Sequence, residues 1–333
     1  DNAVIKAAFF GNSHPNIDRV YAQGRYEQVA EATDLYPVVV SEQNFAEHAP
    51  ALRDVRAAFG TWGFPQLTAE QLEQLPNLEI VFYGAGSVQA FARPFLERGI
   101  TVVSAWAANA VPVAEFTLAQ VLLATKGYFQ NIRQVRSPEG WRGGFRGPGN
   151  YGETVAILGL GMIGRLVVQA LKPFELKVIV RSEHMTPEEA ESLGVRQVSF
   201  EEAFSEALVV SNHLANRPHT VGLLNYPLFA SMRPDAVFIN TGRGAQVVEP
   251  DLIRVLEERP DLTALLDVTH PEPPVEGSPL YTLPNVYLSS HIAGSIGDEV
   301  VRMADYVLRE FEAWQAGKPL RWTVSMEMLE TMA

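Results

Sequence analysis

Cysteine is absent from the 333 residues of this sequence. Its absence excludes disulfide bonds, thiolate nucleophiles and zinc or iron–sulfur centres held by cysteine. A chain without cysteine suits a reducing compartment, and no signal-peptide pattern follows Asp1. We therefore expect a cytoplasmic location.

A long uninterrupted apolar run is also missing. The longest apolar stretch, "VPVAEFTLAQVLLATKGYF", contains Glu115, Gln120 and Lys126. We expect this stretch to be too broken and too short to cross a membrane, and we predict a buried interface helix instead.

Positive charge is scarce relative to negative charge. The chain has 26 lysine and arginine residues against 39 aspartate and glutamate residues, which gives a formal net charge of −13 at pH 7. Such a protein repels nucleic acids and anionic membranes at long range, so we expect neither as a partner. A small anionic substrate is not excluded, because it responds to the local field of its binding site.

Short apolar segments alternate with helical patterns along the whole chain, and a Gly/Arg/Pro-rich passage at 137–153 separates two sets of them. The first set of predicted strands is 4–10, 37–40, 55–60, 78–84 and 100–105. The second set is 154–159, 177–180, 207–212, 236–241, 263–268 and 286–290. The alternation predicts an α/β fold with two doubly wound parallel sheets, and the second set matches a complete dinucleotide-binding fold.

A glycine motif follows the first strand of the second set. "GLGMIG" places Gly159, Gly161 and Gly164 between the strand "TVAILG" and the helical pattern "RLVVQALKPF". In this context Gly159 permits a tight turn, Gly161 lets the backbone approach a pyrophosphate, and Gly164 allows close helix–strand packing. The alternative is a glycine-rich turn that binds nothing, and the surrounding six-strand pattern disfavours it.

The end of the next strand indicates which dinucleotide is bound. An NAD enzyme places an acidic residue about 20 positions after the glycine motif to bind the ribose 2′-hydroxyl. This chain has Arg181 and Ser182 there, followed by Glu183. Arg181 and Ser182 suit the 2′-phosphate of NADP, so we predict NADP, with NAD as the alternative if a shifted loop brings Glu183 into use. The other interpretation of Arg181 is a solvated surface side chain.

Charged residues follow three further strands. Arg243 follows "AVFIN", His291 follows "VYLSS", and Asp267 and Glu272 lie in "LLDVTHPEP" together with His270. Ligands of open parallel sheets bind at the carboxyl ends of strands, so we expect these side chains to converge. A metal site made of His270, Glu272 and His291 is an alternative, as is a salt bridge between loops. We predict no metal, because an acid–base role for Glu272 and His291 also accounts for Arg243.

Five segments in order, "ANAVPVAEFTLA", "GLGMIG", "MRPDAVFINTGRG", "LLDVTHPEP" and "LPNVYLSSHIAG", carry a family resemblance. The sequence resembles the D-isomer-specific 2-hydroxyacid dehydrogenase family. The resemblance implies that Arg243, Glu272 and His291 are catalytic and that Asp267 holds the nicotinamide carboxamide. It also implies cofactor contacts at Met162, Ile163, Leu214, Ala215, Thr241 and Gly242. His270 matches no family role and is interpreted as a loop histidine.

The implied chemistry suits each residue type. Reduction of a 2-oxo acid needs a hydride at the carbonyl carbon and a proton at its oxygen. His291 is the expected proton donor, because imidazole titrates near neutral pH. Glu272 would orient the ring and stabilise its charged form. Arg243 would pair with the substrate carboxylate and polarise the carbonyl.

A loop in the first half of the chain, "FYGAGSV" (82–88), resembles the family's substrate-carboxylate loop. We expect backbone N–H groups of Ala85 and Gly86 to bind the substrate, with Ser87 as a third donor. The chain departs from the family at Val88, where an aspartate is usual, and at Gly242, where alanine is common. The loop also has no lysine, which makes a bare inorganic oxyanion a less suitable substrate.

The resemblance implies two domains, the first flavodoxin-like and discontinuous. Residues 1–105 and 296–333 would form a substrate-binding domain, and residues 106–295 a dinucleotide-binding Rossmann domain. Hinges are expected at both crossings between them. The helix that begins near "VPVAEFTLAQVLL" would form a homodimer.

The predicted function is therefore reduction of a small 2-oxo acid, or oxidation of the matching D-2-hydroxy acid, with NADP or NAD. A glyoxylate or hydroxypyruvate reductase is the nearest functional description. The alternative is a catalytically idle NAD(P)-sensing protein of the same fold, which retention of Arg243, Glu272 and His291 disfavours.

Overall fold

The computed structural model describes residues 4–332 of the chain. Contacts divide these residues into two compact units. One unit runs to Asn109 and resumes at Ser295, and the other is Ala110–Gly294. Each unit contains its own parallel sheet, which confirms the predicted α/β class with two doubly wound sheets.

The strands are short and largely buried. They are β1 (Lys6–Phe9), β2 (Asp34–Leu35), β3 (Ala57–Gly60), β4 (Ile80–Tyr83), β5 (Thr101–Ser104), β6 (Tyr151–Leu158), β7 (Glu175–Arg181), β8 (Arg196–Gln197), β9 (Val209–Asn212), β10 (Val237–Asn240), β11 (Thr263–Leu266) and β12 (Val286–Leu288).

The α-helices vary from a single turn to more than five turns. They are α1 (His14–Val20), α2 (Arg25–Ala32), α3 (Phe45–His48), α4 (Ala69–Glu73), α5 (Ala92–Glu97), α6 (Trp106–Thr125), α7 (Tyr128–Gln134), α8 (Pro138–Gly143), α9 (Met162–Leu171), α10 (Pro187–Leu193), α11 (Phe200–Glu206), α12 (Tyr226–Ala230), α13 (Glu249–Glu258) and α14 (Val301–Gln315). Single 3₁₀ turns lie at Ala49–Leu52, Pro218–Thr220, Gly244–Gln246, Pro279–Tyr281, Gly297–Val300 and Glu327–Glu330.

The sheet of the first unit has the strand order β2-β1-β3-β4-β5, with all pairs parallel. This is the flavodoxin-like order of a doubly wound fold. The predicted strand at 37–40 is wrong in position, because the paired residues are Asp34 and Leu35. Pro37 has no N–H to donate and interrupts the ladder, and the chain rejoins β1 only as a single bridge between Phe10 and Val40.

The C-terminal helix α14 completes the core of the first unit. The ring of Phe311 packs edge-on against Phe59 and Phe82, with ring centroids 5.2 and 5.5 Å apart. These two strand residues stack on each other at 5.1 Å, and all three side chains are buried. Residues that precede the second unit in the sequence and a residue that follows it therefore share one aromatic core.

The second unit has a seven-stranded sheet in the order β12-β11-β10-β9-β6-β7-β8. The strand order reverses between β6 and β9, which is where such a sheet binds its ligand. The sequence predicted six strands and missed β8. Arg196 and Gln197 are exposed and pair with β7 at the edge of the sheet, so they have no apolar pattern to reveal them.

Helix α6 corrects one expectation about the apolar stretch. The helix has 20 residues, and by length and composition alone it is long and apolar enough to cross a membrane, so the expectation that the stretch is too short is wrong. Half of its apolar window is buried within the fold. Buried core helices pass the same length and composition test.

We predict that Phe311→Ala lowers the free energy of unfolding by about 3–5 kcal/mol, because it leaves a cavity among buried rings. Chemical denaturation monitored by circular dichroism measures the change. Glu312→Ala, on the exposed side of the same helix, is the control and should stay within about 0.5 kcal/mol of the parent protein. Equal losses for the two variants would contradict the role of Phe311.

Candidate active site

The turn after β6 is built around Gly159. Its backbone has φ of +91°, and a Cβ there would lie 2.4 Å from the carbonyl oxygen of His213. The N–H of Gly159 donates to the carbonyl of Arg181 at 2.8 Å. The turn is thus held between the ends of β7 and β9 and leaves no room for a side chain.

The other two glycines of the motif differ in their surroundings. A Cβ at Gly164 would lie 2.2 Å from the carbonyl oxygen of Gly159, whereas a Cβ at Gly161 would meet nothing within 4 Å. Gly161 is the N-cap of α9, so the first N–H groups of that helix lie beside this open space, next to the exposed Met162 and half-buried Ile163. The arrangement fits a pyrophosphate at a helix N-terminus.

His213 adjoins this turn and was not singled out by sequence reasoning. Its ring is buried, and its Nε2 lies 2.8 Å from the hydroxyl of Ser211. Burial lowers the pKa of His213 to about 4, so the ring is neutral at physiological pH. It therefore adds no positive charge next to the turn.

The end of β7 presents a cation beside the turn. The guanidinium of Arg181 lies over the ring of Phe200, 4.7 Å from its centroid. Among residues 4–332, no carboxylate forms an ion pair with it. Ser182 is half-buried, and its carbonyl accepts from the Gln197 side chain at 3.1 Å.

Glu183 is engaged elsewhere. Its carboxylate lies 2.9 Å from His219 Nε2 and 3.9 Å from Arg217 Nη1. The hydrogen bond from His219, aided by the nearby charges, lowers the pKa of Glu183. The acidic side chain next to Ser182 is therefore already paired with His219 and Arg217.

Asp267 organises the loop that carries His291. The Asp267 side chain is 3% exposed, and its carboxylate accepts from the hydroxyl of Ser289 (2.7 Å) and the N–H groups of Ile292 (2.8 Å) and Ala293 (2.9 Å). Its carbonyl accepts from the N–H of His291 at 3.0 Å. These bonds hold His291 at φ +57°, a left-handed conformation that costs a non-glycine residue energy.

The side chains of His291 and Glu272, which the sequence analysis pairs, contact each other. Nδ1 of His291 lies 2.8 Å from Oε2 of Glu272. Both side chains are about half exposed, 51% for His291 and 43% for Glu272. Because Nδ1 is engaged, Nε2 is the atom left to exchange a proton with a bound molecule.

Arg243 lies on a loop that packs tightly against the loop of Glu272. A Cβ at Gly244 would lie 2.0 Å from the carbonyl carbon of Thr269, so only glycine permits this approach. Nη1 of Arg243 donates to the carbonyl of Gly242 at 2.8 Å. Burial lowers the pKa of Arg243, and the charge of Glu272 opposes that shift, which leaves a half-buried cation near the His291–Glu272 pair.

The segments at Thr241 and at Leu214–Ala215 are the remaining predicted cofactor contacts in the second unit. The hydroxyl of Thr241 is buried and has no hydrogen-bond partner among the residues that the structure describes. Leu214 and Ala215 follow β9, and their carbonyls accept from the Gln246 side chain at 3.1 and 3.0 Å. An unpartnered buried hydroxyl after β10 is consistent with a ligand at this edge of the sheet.

The predicted substrate loop lies in the first unit, directly after β4. The hydroxyl of Ser104 donates to the carbonyls of Ala85 (3.0 Å) and Gly86. Those bonds fix the carbonyl side of the loop, while the N–H groups of Gly86 and Ser87 donate to no acceptor within the described part of the chain. The loop therefore has unpaired backbone donors at Gly86 and Ser87, and substrate binding by this loop stays a prediction.

Metal ligation has no visible basis in this region. Within residues 4–332, no group of three or more histidine, cysteine, aspartate or glutamate side chains is arranged to hold a metal ion. Glu272 and His291 bond to each other, and His270 is exposed.

Comparison with known proteins decides the family. Residues 118–293 match the model described as "D-isomer specific 2-hydroxyacid dehydrogenase, NAD binding domain". The chain belongs to this family. A D-3-phosphoglycerate dehydrogenase of Archaeoglobus fulgidus is 29% identical over 266 residues, which are 80% of this chain but only 50% of that relative. This chain thus spans about half the length of such relatives.

Two further proteins align with this chain over most of their own length. A glyoxylate reductase of Thermococcus litoralis is 31% identical over 257 residues, covering 75% of this chain and 77% of that relative. The solved D-mandelate dehydrogenase of Rhodotorula graminis has a TM-score of 0.79 at 20% identity and covers 97% of this chain and 98% of that one. The last likeness concerns the fold alone.

Sequence reasoning missed three buried amide residues that bond to the backbone of the site's loops. Asn212 and Asn240 end neighbouring strands, and Gln246, in a 3₁₀ turn, accepts from the Asn212 side chain. A signal was available, since two buried strands, "VVSN" and "VFIN", both end in asparagine. Asparagine is unfavourable inside a strand and is therefore informative there.

We predict that His291→Gly is about 1 kcal/mol more stable than His291→Ala, because only glycine adopts φ +57° without strain. Both variants lack the imidazole, so their difference reports the backbone alone. Thermal and chemical unfolding measure it. At Glu312, inside a helix, the control pair Glu312→Gly and Glu312→Ala should show the opposite order. An Ala variant at 291 as stable as the Gly variant would contradict the strained backbone.

Proposed function

We propose that this protein interconverts a small 2-oxo acid and the matching D-2-hydroxy acid with a nicotinamide dinucleotide. The observation that carries the proposal is the 2.8 Å contact between His291 and Glu272, beside Arg243 and on the same sheet edge as an open glycine turn. This edge is the carboxyl end of a doubly wound sheet, where ligands bind. Family membership supports the same chemistry.

His291 is the proposed proton donor in the direction of reduction. A bound nicotinamide would supply the hydride for the carbonyl carbon, and His291 and Glu272 would handle the proton. Nε2 of His291 donates a proton to the carbonyl oxygen and takes it back in the reverse direction. Glu272 contacts Nδ1 at 2.8 Å and fixes the orientation of the ring.

Arg243 is the proposed anchor for the acid. Its guanidinium remains protonated despite burial, and half-burial strengthens its pairing with a carboxylate. One N–H already donates to Gly242, which orients the remaining donors. They pair with the substrate carboxylate and stabilise charge that develops on the carbonyl oxygen.

The substrate class we propose is a small 2-oxo acid such as glyoxylate or hydroxypyruvate. The glyoxylate reductase of Thermococcus litoralis supports this choice, since it aligns over most of its own length. We further propose that the N–H groups of Ala85, Gly86 and Ser87 bind the substrate. The absence of lysine from 82–88 suits a carboxylic acid better than a bare inorganic oxyanion.

The proposal is tested by oxidation of NADPH and NADH with glyoxylate, hydroxypyruvate, pyruvate, and phenyl or branched-chain 2-oxo acids. We expect turnover with at least one small acid, and we expect His291→Asn to lower kcat by about 10²–10⁴-fold because the proton donor is lost. His270→Asn makes the same change on an exposed loop and should keep the parent rate.

Absence of turnover with every acid, combined with tight cofactor binding, would instead support the idle-sensor alternative. The relatives that the chain matches are named as dehydrogenases and a reductase, so that alternative gains no support from them. The homodimer, the cytoplasmic location and the division of roles between the two units stay predictions.

We also propose NADP as the preferred cofactor. Arg181 lies at the end of β7 without a carboxylate partner among residues 4–332, and its carbonyl is bonded to Gly159 of the turn. Glu183, the side chain suited to a free ribose 2′-hydroxyl, is paired with His219 and Arg217. A 2′-phosphate would therefore meet cations rather than an unpaired carboxylate.

We predict that Arg181→Asp shifts the preference from NADPH toward NADH by about tenfold or more, because it replaces a charge-assisted bond with repulsion. Ratios of kcat/KM for the two cofactors measure the shift. Arg196→Asp, the same charge reversal on neighbouring β8, is the control and should leave the ratio near its parent value. An unchanged ratio in Arg181→Asp would refute its role.

A further inference from the structure

Three buried amide side chains lie beneath the loops of the candidate site in the second unit. Asn212 and Asn240 are the last residues of β9 and β10, and Gln246 ends the 3₁₀ turn after Arg243. Their exposed fractions are 0%, 1% and 1%. Buried amides are costly unless every donor and acceptor is satisfied, so their partners define what they do.

The side chain of Asn212 bonds to the other two. Nδ2 of Asn212 donates to Oδ1 of Asn240 at 3.0 Å and to Oε1 of Gln246 at 2.8 Å. One amide group therefore links two acceptors on different elements. We call Asn212, Asn240 and Gln246 the amide network.

One side of the amide network holds the segment after β9. Nε2 of Gln246 donates to the carbonyls of Leu214 (3.1 Å) and Ala215 (3.0 Å). Oδ1 of Asn212 accepts from the N–H of Leu214 at 3.2 Å. This segment thus has both its donor and its acceptor groups fixed from below.

The other side holds the Arg243 loop. Oδ1 of Asn240 accepts from the N–H of Gly242 at 3.0 Å, and Nδ2 of Asn240 donates to the carbonyl of Arg243 at 3.3 Å. The network therefore bonds to the backbone of Arg243 and to the backbone of Gly242, whose carbonyl accepts from the Arg243 guanidinium.

The network admits one arrangement of donors and acceptors. Each amide oxygen and nitrogen of the three residues has a partner, so rotating any one amide by 180° would set donor against donor and acceptor against acceptor. Space is equally limited, since a Cβ at Gly242 would lie 3.0 Å from Nδ2 of Asn212 and 3.2 Å from Oε1 of Gln246. A shift of one loop must therefore move the other or break a buried bond.

We propose that the amide network is a positioning device that couples the cofactor-contact segment Leu214–Ala215 to Arg243. This inference rests on the proposed function, which assigns those two roles. The three amides act through backbone groups. They place the Arg243 guanidinium correctly only when the segment after β9 has the position that it takes with the cofactor bound.

The experiment compares isosteric amide-to-acid changes. Asn240→Asp retains the acceptor for Gly242 but places an oxygen against the Arg243 carbonyl. Gln246→Glu likewise places an oxygen against the carbonyls of Leu214 and Ala215. The matched control is Asn285→Asp, because Asn285 is also buried in the second unit and donates to the carbonyls of Leu256 and Arg259 at 3.0 and 3.4 Å.

We expect Asn240→Asp to lower kcat by about tenfold to a hundredfold, as misplacement of a catalytic group does, with little change in the NADPH dissociation constant measured by fluorescence. Gln246→Glu should both weaken NADPH binding and lower kcat. The double variant should lose less than the product of the single losses, by about twofold or more, because the residues share one network. Asn285→Asp should lower the thermal midpoint while kcat and NADPH affinity stay at parent values.

Kinetic losses in Asn285→Asp equal to those in the other two, or strictly multiplicative losses in the double variant, would overturn the coupling. If Asn240→Asp does not fold, the neutral Asn240→Ser, too short to reach Arg243, replaces it with the same expectation.

If the parent protein binds NADPH without turning over any 2-oxo acid, the proposed catalysis fails. The NADPH affinities of Gln246→Glu and Asn285→Asp then still decide whether the network supports the segment after β9. If the parent protein binds NADH but not NADPH, only the proposed NADP preference fails, and the same variants are compared with NADH. If it binds neither cofactor, both proposals fall.

Discussion

The carboxylate of Asp267 holds the loop on which the proposed proton donor depends. It is almost fully buried, yet it stays compatible with the fold because Ser289, Ile292 and Ala293 all donate to it. The same residue accepts the His291 N–H through its carbonyl. A strained backbone at His291 is thus balanced by charge-assisted bonds. The resemblance also implies that Asp267 binds the nicotinamide carboxamide. Both roles are compatible, because each carboxylate oxygen can accept more than one hydrogen bond.

The rest of the site follows from where parallel strands end. Gly159, Arg181, Asn212, Asn240 and Asp267 each lie at or just beyond the carboxyl end of a strand in one sheet. The register between neighbouring strands keeps these ends level. Groups that are far apart in sequence therefore meet on one edge, and glycine supplies the close approaches at residues 159 and 244.

Local patterns in the sequence predicted the class of fold, the glycine turn and the His291–Glu272 pair, because each rests on a motif with fixed geometry. The errors have physical causes of their own. Pro37 displaced a strand that its apolar neighbours suggested, and β8 is too short and too exposed to show a period. The pairing of Glu183 with His219 joins residues 36 positions apart, and the amide network depends on which way each amide points. Neither property is encoded in spacing alone.

The shared aromatic core of the first unit has a consequence for protein synthesis. Domains tend to fold as their residues leave the ribosome, beginning with the N-terminal ones. Here Phe59 and Phe82 are translated before the second unit, but Phe311, which covers them, is translated after it. The nascent chain must carry an incomplete aromatic surface while the entire second unit is made. During that interval the exposed rings are a natural target for chaperones and proteases.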